Sequence, residues 1–460
     1  MKVKFLLILL IPLCLFFLSQ QFGLNLHQAT SLSIFAVSIL GTLLFWSFRL
    51  TFAFLGTAVL LMTKTIDLEH LILFSSLEVI LFLIGMMVIV GLLKDTGFFA
   101  WLVSLVLRMR RLTANKFLLI ISFVSAILSC LVGEVAAIIF ILAVILEICD
   151  YFEVNPVPFV IIAVMAVNIG SVGTILGNPI GVLIAIKSGL TFEDFIIKAF
   201  PIMVLAIIVC TIIFKYWYRK ALSQFDRHIK ELGANEILIR LISISPCKEL
   251  KISLGILLTT LFSISLHHRI EILLGLPENT VLLALPLVSS GLVMLWKSHK
   301  ARDYIEKDVE WWTLLFFLLL FAQAGTLKYS GTTDVIASRL GQAIGNNASA
   351  LTGIVLWVST IGSSILDNVV LVAAFIPVLQ SFSSLNIHLD SLWWALLIGG
   401  CFGGNITIVG STANIVALGI LEKEKNLRLK FLQWLGIGLV VGCVTVCIAW
   451  AVLIFVPYYH

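Results

Sequence analysis

Apolar residues run through this chain in long, charge-poor stretches rather than in alternation with polar ones. A run of about 18 or more apolar residues is long enough to cross a hydrocarbon core as a helix. Such runs predict spanning helices near residues 5–22, 29–48, 50–63, 71–93, 158–187, 199–217, 252–267, 280–296, 311–327, 391–420 and 433–456. Two further apolar stretches, 117–149 and 350–380, are broken in the middle by polar residues. Each reads as a helical hairpin that enters the membrane and returns on the same side. Residues 97–110 and 332–343 read as short interfacial helices ahead of each hairpin. The expected fold class is an all-α polytopic membrane protein with about 11 spanning helices and two re-entrant hairpins.

The distribution of Lys and Arg tests this topology, because short cytoplasmic loops carry an excess of both. Lys2 and Lys4 place the amino end in the cytoplasm, and Arg49 then falls inside. So do the loop 94–116, the loop 218–251, the run Lys297–Lys307 and the cluster Lys423, Lys425 and Arg428. The predicted outer segments 23–28 and 271–279 contain no Lys or Arg. The pattern closes only if both hairpins fail to cross. Topology also accounts for the basic loops, so nothing argues for nucleic-acid binding. Lys2 and Lys4 followed by the apolar run Phe5–Leu18 resemble a secretory signal, but Ser19, Gln20, Gln21 and Phe22 offer no small-residue cleavage pattern. A retained first helix is expected, with the chain multi-pass in a bacterial inner membrane.

Three matches recur in order at nearly one spacing. Leu131-Val132-Gly133-Glu134-Val135 aligns with Ile365-Leu366-Asp367-Asn368-Val369, and Leu92–Gly97 with Thr326–Gly331, both at an offset of 234. Thr174-Ile175-Leu176-Gly177 aligns with Thr407-Ile408-Val409-Gly410 at 233. The loop 94–116 has five Lys/Arg and its counterpart 328–350 has two, which fits copies of opposite orientation. The expected organisation is an extra N-terminal helix (1–28), a first inverted repeat (29–217), a cytoplasmic linker (218–251) and a second inverted repeat (252–460). Inverted repeats with broken helices at mid-membrane typify secondary transporters.

Composition narrows the alternatives. Apolar residues make up 60% and charged residues 12%, too apolar for soluble domains. The eight cysteines show no paired spacing and the histidines fall in loops or at ends, so neither a disulfide framework nor a histidine metal centre is indicated. An intramembrane enzyme needs a catalytic pair at matched depth, such as two aspartates, Ser/His or an Asp-rich metal motif. The sequence offers none, and no cofactor is expected beyond a coupling ion.

Four polar stretches interrupt the apolar sequence. The hairpin tips are Ser129–Glu134 and Ser363–Asn368. The broken helices carry Asn168, Ser171, Thr174, Asn178 and several glycines in one half, and Asn405, Thr407, Ser411, Thr412 and Asn414 with glycines in the other. Glycine and proline let a helix unwind, and the backbone groups this frees are tolerated at membrane depth only when buried in protein or lining a cavity. Carbonyls with Asn, Ser and Thr oxygens suit a dehydrated sodium ion, and inward-pointing helix N-termini suit an anion. Glu134, Asn168, Ser171, Thr174, Asn178 and Ser364 are therefore candidate site residues beside Asp367. A carboxylate at mid-membrane costs about 2.5–3.5 kcal/mol on insertion scales, which points to a proton or cation site at Glu134 and Asp367. The structural alternative is a hydrogen-bonded carboxyl; for Asp367 this would be a cap on the following helix. Glu78 reads as a solvated flank, Glu147 and Asp150 as interfacial, and Cys130 and Cys401 as packing residues.

Leu366-Asp367-Asn368-Val369 and the stretch Gly403–Asn414 resemble motifs of the ion transporter superfamily, specifically the arsenite permease/sodium–proton antiporter (ArsB/NhaD) group with its citrate-transporter-like domain. Phe82–Met87 and Trp312–Phe317 resemble its first motif in each half. The resemblance covers roughly residues 30–455 and implies an elevator-type secondary transporter, a homodimer, moving sodium and protons, arsenite, or organic or inorganic anions. It carries a site role onto Asp367, Asn368, Asn405, Thr407, Ser411 and Asn414, with a sodium ion expected near Asp367, Asn368 and Asn405. The first half departs from the pattern: Gly133-Glu134-Val135-Ala136-Ala137 stands where the family has Asp-Asn-Val-Thr-Thr, and Gly177-Asn178-Pro179-Ile180-Gly181 where it has Gly-Asp-Pro-Pro-Asn. Neutral oxygen ligands are lost and a carboxyl is gained, making Glu134 a candidate carrier of a coupling proton, since burial disfavours its charged form. The leading expectation is sodium–proton antiport; the alternatives are sodium- or proton-coupled anion transport and a passive channel.

Overall fold

The protein, a computed structural model, is described over residues 2–21, 23–98, 101–102, 113–231, 247–344, 348–382 and 389–456. The expected interfacial helix 97–110 and the linker centre 232–246 lie largely outside these residues. Every described regular element is helical. Among the described residues six helices are long and apolar enough to cross a membrane, or up to eight spans if each of two bent pairs counts as one. The expected number of about 11 is not reached by this measure. The chain often divides its apolar stretches into pieces shorter than a bilayer, such as Val157–Gly170, Pro179–Ser188 and Asn368–Phe382. The expected helix 71–93 is likewise two, Leu68–Phe74 and Leu77–Asp95, separated at Ser76 with φ +50°.

In both hairpins the entry and exit ends come together, and Ala114–Val132 is itself long and apolar enough to cross a membrane. The first consists of Ala114–Val132 and Glu134–Tyr151. Phe117, at its entry, and Phe152, just past its exit, pack on the same ring, Phe225, at 5.0 and 5.2 Å. Phe225 and Leu222 are the buried face of the amphipathic helix Arg219–Glu231, which leaves Arg219, Lys220, Arg227 and Lys230 exposed. The next residue, Asp226, accepts the Ala114 N–H at 2.7 Å, satisfying one of the first helical donors. The turn rests on Gly133 at φ +89°, where a side chain would be strained. The second hairpin consists of Ala348–Ile365 and Asn368–Phe382. The Thr352 hydroxyl, near its entry, lies 2.8 Å from that of Ser391, which follows its exit.

In each half the first hairpin arm runs beside the first segment of a broken helix. A Cβ on Gly170 would collide with the Ala126 backbone, and one on Gly403 with the Thr360 backbone. Small residues let backbones approach closely where lipid provides no hydrophobic driving force. The hairpins and broken helices pack with Phe200–Trp217 and Phe431–Phe455. A second group surrounds Leu77–Asp95 and Trp311–Tyr329. There Gln323 fastens one helix to another, donating to the Ala53 carbonyl at 2.8 Å and the Thr57 hydroxyl at 3.1 Å. Gly170→Leu is expected to destabilise the protein by more than the roughly 1–3 kcal/mol typical of overpacking, because backbone must move. Gly291→Ala, with open space around it, is expected to be neutral; thermal unfolding of both variants in detergent checks this.

Candidate functional site

The two broken helices stop and restart by the same local chemistry. The first ends at Gly170, turns through Ser171–Thr174 and a short 3-10 turn at Ile175–Gly177, and resumes at Pro179. Asn178 caps the new helix, its side chain accepting from the Gly181 N–H at 2.7 Å, and Pro179 takes the first position, where its missing N–H costs nothing. The second ends at Gly403 and resumes at Thr412, capped by Ser411, which accepts from the Ala413 N–H at 3.2 Å. Between the segments one threonine ties each unwound stretch to a hairpin tip. Thr174 donates to the Cys130 carbonyl and Thr407 to the Ser364 carbonyl, both at 2.5 Å. Each also accepts an N–H two residues on, from Leu176 and Val409, both at 3.2 Å.

Asn168 joins the two unwound stretches. Its amide donates to the side-chain oxygens of Asn405 and Asn414, both at 2.9 Å, and its own oxygen accepts from Ser411 at 3.0 Å. Asn414 in turn donates to the Gly404 and Thr407 carbonyls at 2.8 and 2.9 Å. Asn178 donates to the Ser171 hydroxyl and to the Cys401 sulfur, both at 2.9 Å. Trp434, on the last helix, donates to the Asn405 carbonyl at 3.0 Å. All of these side chains are buried.

The two carboxyls at the hairpin tips are also buried, Glu134 at 2% exposed and Asp367 at 3%. They are bonded differently. Asp367 accepts from Thr412 at 2.7 Å and from the Val369 N–H at 3.0 Å, so it holds the start of its own second arm. Glu134 has one side-chain partner, the Asn368 amide, 3.4 Å from each of its oxygens. Glu134 also lines a cavity of about 270 Å³ between the hairpin tips and the other helix group. Its walls are mainly apolar, including Phe82, Met86, Met87, Phe140 and Phe317; polar positions are Asn178, Glu310, Thr313 and Thr412. Lys94, Lys307 and Asp308 stand at its exposed end, with Lys94 and Asp308 paired at 3.0 Å.

Of the residues the sequence singles out, Glu134 and Asn178 face the cavity. Asn168, Asn405, Ser411 and Asn414 form one network, Ser171 meets Asn178, and Thr174 and Thr407 are clamps. Ser364 donates to the Ile361 carbonyl at 2.7 Å. Asp367, Asn368 and Asn405, the expected surroundings of a sodium ion, bond to three different partners: Thr412, Glu134 and Asn168. No cluster of three or more His, Cys, Asp or Glu suited to a metal occurs among the described residues. Glu78 is no free flank: its carboxylate meets Lys187 at 2.9 Å. Asp150 pairs with Lys425. Sequence reasoning missed Thr313, Glu310 and Trp434, whose placement depends on distant packing. Thr412 carried a signal, its place beside Ser411 in the polar stretch.

The family model for citrate transporters (CitMHS) matches residues 42–399. An uncharacterized transporter of Mycobacterium tuberculosis is 30% identical over 385 residues, covering 83% of this chain and 86% of that protein. A 46 kDa membrane protein of Mycobacterium leprae is 29% identical over 81% of this chain and 84% of its own length. The human P protein is 26% identical over 82% of this chain and 53% of its own length.

Asn168→Leu would strand Asn405, Asn414 and Ser411 without their shared partner. At roughly 1–3 kcal/mol for an unsatisfied buried group, a large loss of thermal stability is expected. Trp434→Phe removes one neutral hydrogen bond and should cost about 1 kcal/mol. Melting curves of the two purified variants, ranked against the parent, test that order.

Proposed function

The chain belongs to the citrate transporter family and is a secondary transporter in a multi-pass membrane protein, and we propose that it carries a small organic anion in symport with a proton. The family is one of transporters rather than enzymes. Its match favours an anion over sodium–proton antiport. The observation that carries the choice of coupling ion is Glu134: a buried carboxyl on the cavity wall with one amide as its side-chain partner. An ionised Glu134 repels an anion in the same low-dielectric space. Protonation removes that repulsion, so proton and anion load together. Cys130 donates to the Gly170 carbonyl and Cys401 accepts from Asn178, and neither lines the cavity, so thiol capture of arsenite has no support here.

The reading includes an elevator motion and an inverted repeat. Supporting the repeat, the paired clamps Thr174–Cys130 and Thr407–Ser364, and the paired contacts Gly170–Ala126 and Gly403–Thr360, fall at the aligned positions. Supporting the motion, hydrogen bonds tie the tips and unwound stretches to one another, whereas a mainly apolar cavity lies between the tips and parts of Leu77–Asp95 and Trp311–Tyr329. The cavity's exposed end carries Lys94 and Lys307, on segments that the charge pattern assigns to the cytoplasm. The conformer is accordingly inward-facing, with Lys187 and Glu78 joining the two groups at the opposite end.

Anion uptake into proteoliposomes should rise as the pH on the substrate side falls, and Glu134→Gln should abolish that dependence. A sodium-driven proton release instead, with no anion uptake, would return the antiporter reading. Cysteines at positions 78 and 187, linked by a bifunctional thiol crosslinker with a cleavable disulfide spacer, should stop transport, and cleavage should restore it; undiminished transport in the linked variant would remove the elevator reading.

A further inference from the structure

The helix Arg219–Glu231 carries its cations on one side. Arg219, Lys220, Arg227 and Lys230 follow one another at spacings of 1, 7 and 3 residues. At 3.6 residues per turn all four fall within roughly 100° of arc. Leu222 and Phe225, the buried face, lie outside that arc. Among the described residues none of the four has a carboxylate within ion-pair distance. On the same side of the membrane by the charge pattern, Lys94, Lys297, Lys300, Lys307, Lys425 and Arg428 each have one. Asp226, beside the stripe, is spent on the Ala114 N–H at 2.7 Å. Topology asks for basic residues in a cytoplasmic loop, but not for their alignment, unpaired, on one face of an ordered helix.

Two sets of contacts fix the level of this helix. It begins just after Phe200–Trp217, whose last residues, Tyr216 and Trp217, are 71% and 49% exposed. Such rings sit at the headgroup level of a bilayer. At its middle, Phe225 packs on Phe117, Phe152 and Phe159 at 5.0, 5.2 and 5.4 Å. These three stand near the ends of Ala114–Val132, Glu134–Tyr151 and Val157–Gly170. Start and middle are thus both at the ends of membrane helices, so the helix lies along the surface instead of rising from it. A basic face on a helix at that level attracts anionic lipid, Arg meeting a phosphate at two points and Lys as a point charge.

We propose that Arg219, Lys220, Arg227 and Lys230 form a docking surface for the phosphate headgroups of anionic lipids in the cytoplasmic leaflet. The helix that carries them also holds the entry and exit of the hairpin bearing Glu134, so headgroups bound there brace that hairpin. The proposal is independent of which ion or anion is carried.

The test uses the full chain, immobilised in a neutral detergent and exposed to radiolabelled phosphatidylglycerol or to phosphatidylcholine of the same acyl chains. Phosphatidylglycerol should bind at least about tenfold more tightly, and high salt should erase most of that preference. Replacing all four cations by Gln should remove the preference, whereas Arg219→Lys with Arg227→Lys should keep most of it. Equal binding of the two lipids by the parent would overturn the proposal, as would an undiminished preference in the fourfold variant. If that variant does not fold, Arg227→Gln with Lys230→Gln takes its place, with an expected loss of about fivefold; no loss there overturns the proposal equally. Inorganic phosphate or polyglutamate binding at the stripe to the exclusion of the lipid would also overturn it, assigning the face to a free anion or to an acidic protein.

Discussion

A helix that stops inside a bilayer leaves carbonyl and N–H groups where no water can reach them, and the protein must answer each from within. Two helices stop in this way, at Gly170 and Gly403. The answer is a set of amides and hydroxyls drawn from both halves: Asn168 bridging to Asn405, Asn414 and Ser411, and Asn414 and Trp434 reaching unwound carbonyls. The hairpin tips belong to the same solution, since Thr174 and Thr407 spend their hydroxyl protons on tip carbonyls. None of these pieces is satisfied alone, so the centre forms as one cooperative unit.

That unit changes character at the cavity, although the hairpin arm Asn368–Phe382 also packs directly on Trp311–Tyr329, where Lys328 donates to Gln380 at 3.1 Å. Inside it, contacts are directional and short. At its border with Leu77–Asp95 and Trp311–Tyr329, the contacts around the cavity are mostly apolar, with Phe82, Met86 and Phe317 on the wall. Apolar faces lose little when they slide, because dispersion and burial depend on area rather than on angle. Buried hydrogen bonds must break before their partners can part. The cavity wall therefore resists sliding less than the interior of the unit does, and it is also where Glu134 and Thr313 meet the cavity.

Much of this was legible in the sequence, for a physical reason: a membrane makes polar residues conspicuous. The hairpins, the broken helices and the residues of the asparagine network all stand out against apolar runs. What stayed hidden was the division of labour among them. Thr174 and Thr407 read as site residues, and their bonds to the tip carbonyls could not be read, because a hydroxyl's partner is chosen by packing that spacing cannot display. Ser76 breaks an unremarkable apolar run by adopting a left-handed backbone. Glu78 finds Lys187 across 109 positions, and Arg49, read as a mark of topology, finds Thr313 across 264.

The two hairpin tips show how one register can hold two different chemistries. Gly133 stands where the second tip has Asp367, and Glu134 where it has Asn368. In the second tip, the first of these positions carries the carboxyl, which turns back onto Val369 N–H and across to Thr412. Both of its oxygens are thereby committed to closing the tip. In the first tip glycine makes the turn, so no side chain is needed there to hold it. The carboxyl has moved one residue along, to a position facing its counterpart Asn368 and the cavity. A carboxyl that holds a turn is fixed in one state by its donors. Glu134, met by a single amide on the cavity wall, is the one that the proposed symport uses as its proton carrier. Displacement by a single residue therefore separates a carboxyl with two donors in the tip and the next helix from one with a single amide partner on the cavity wall.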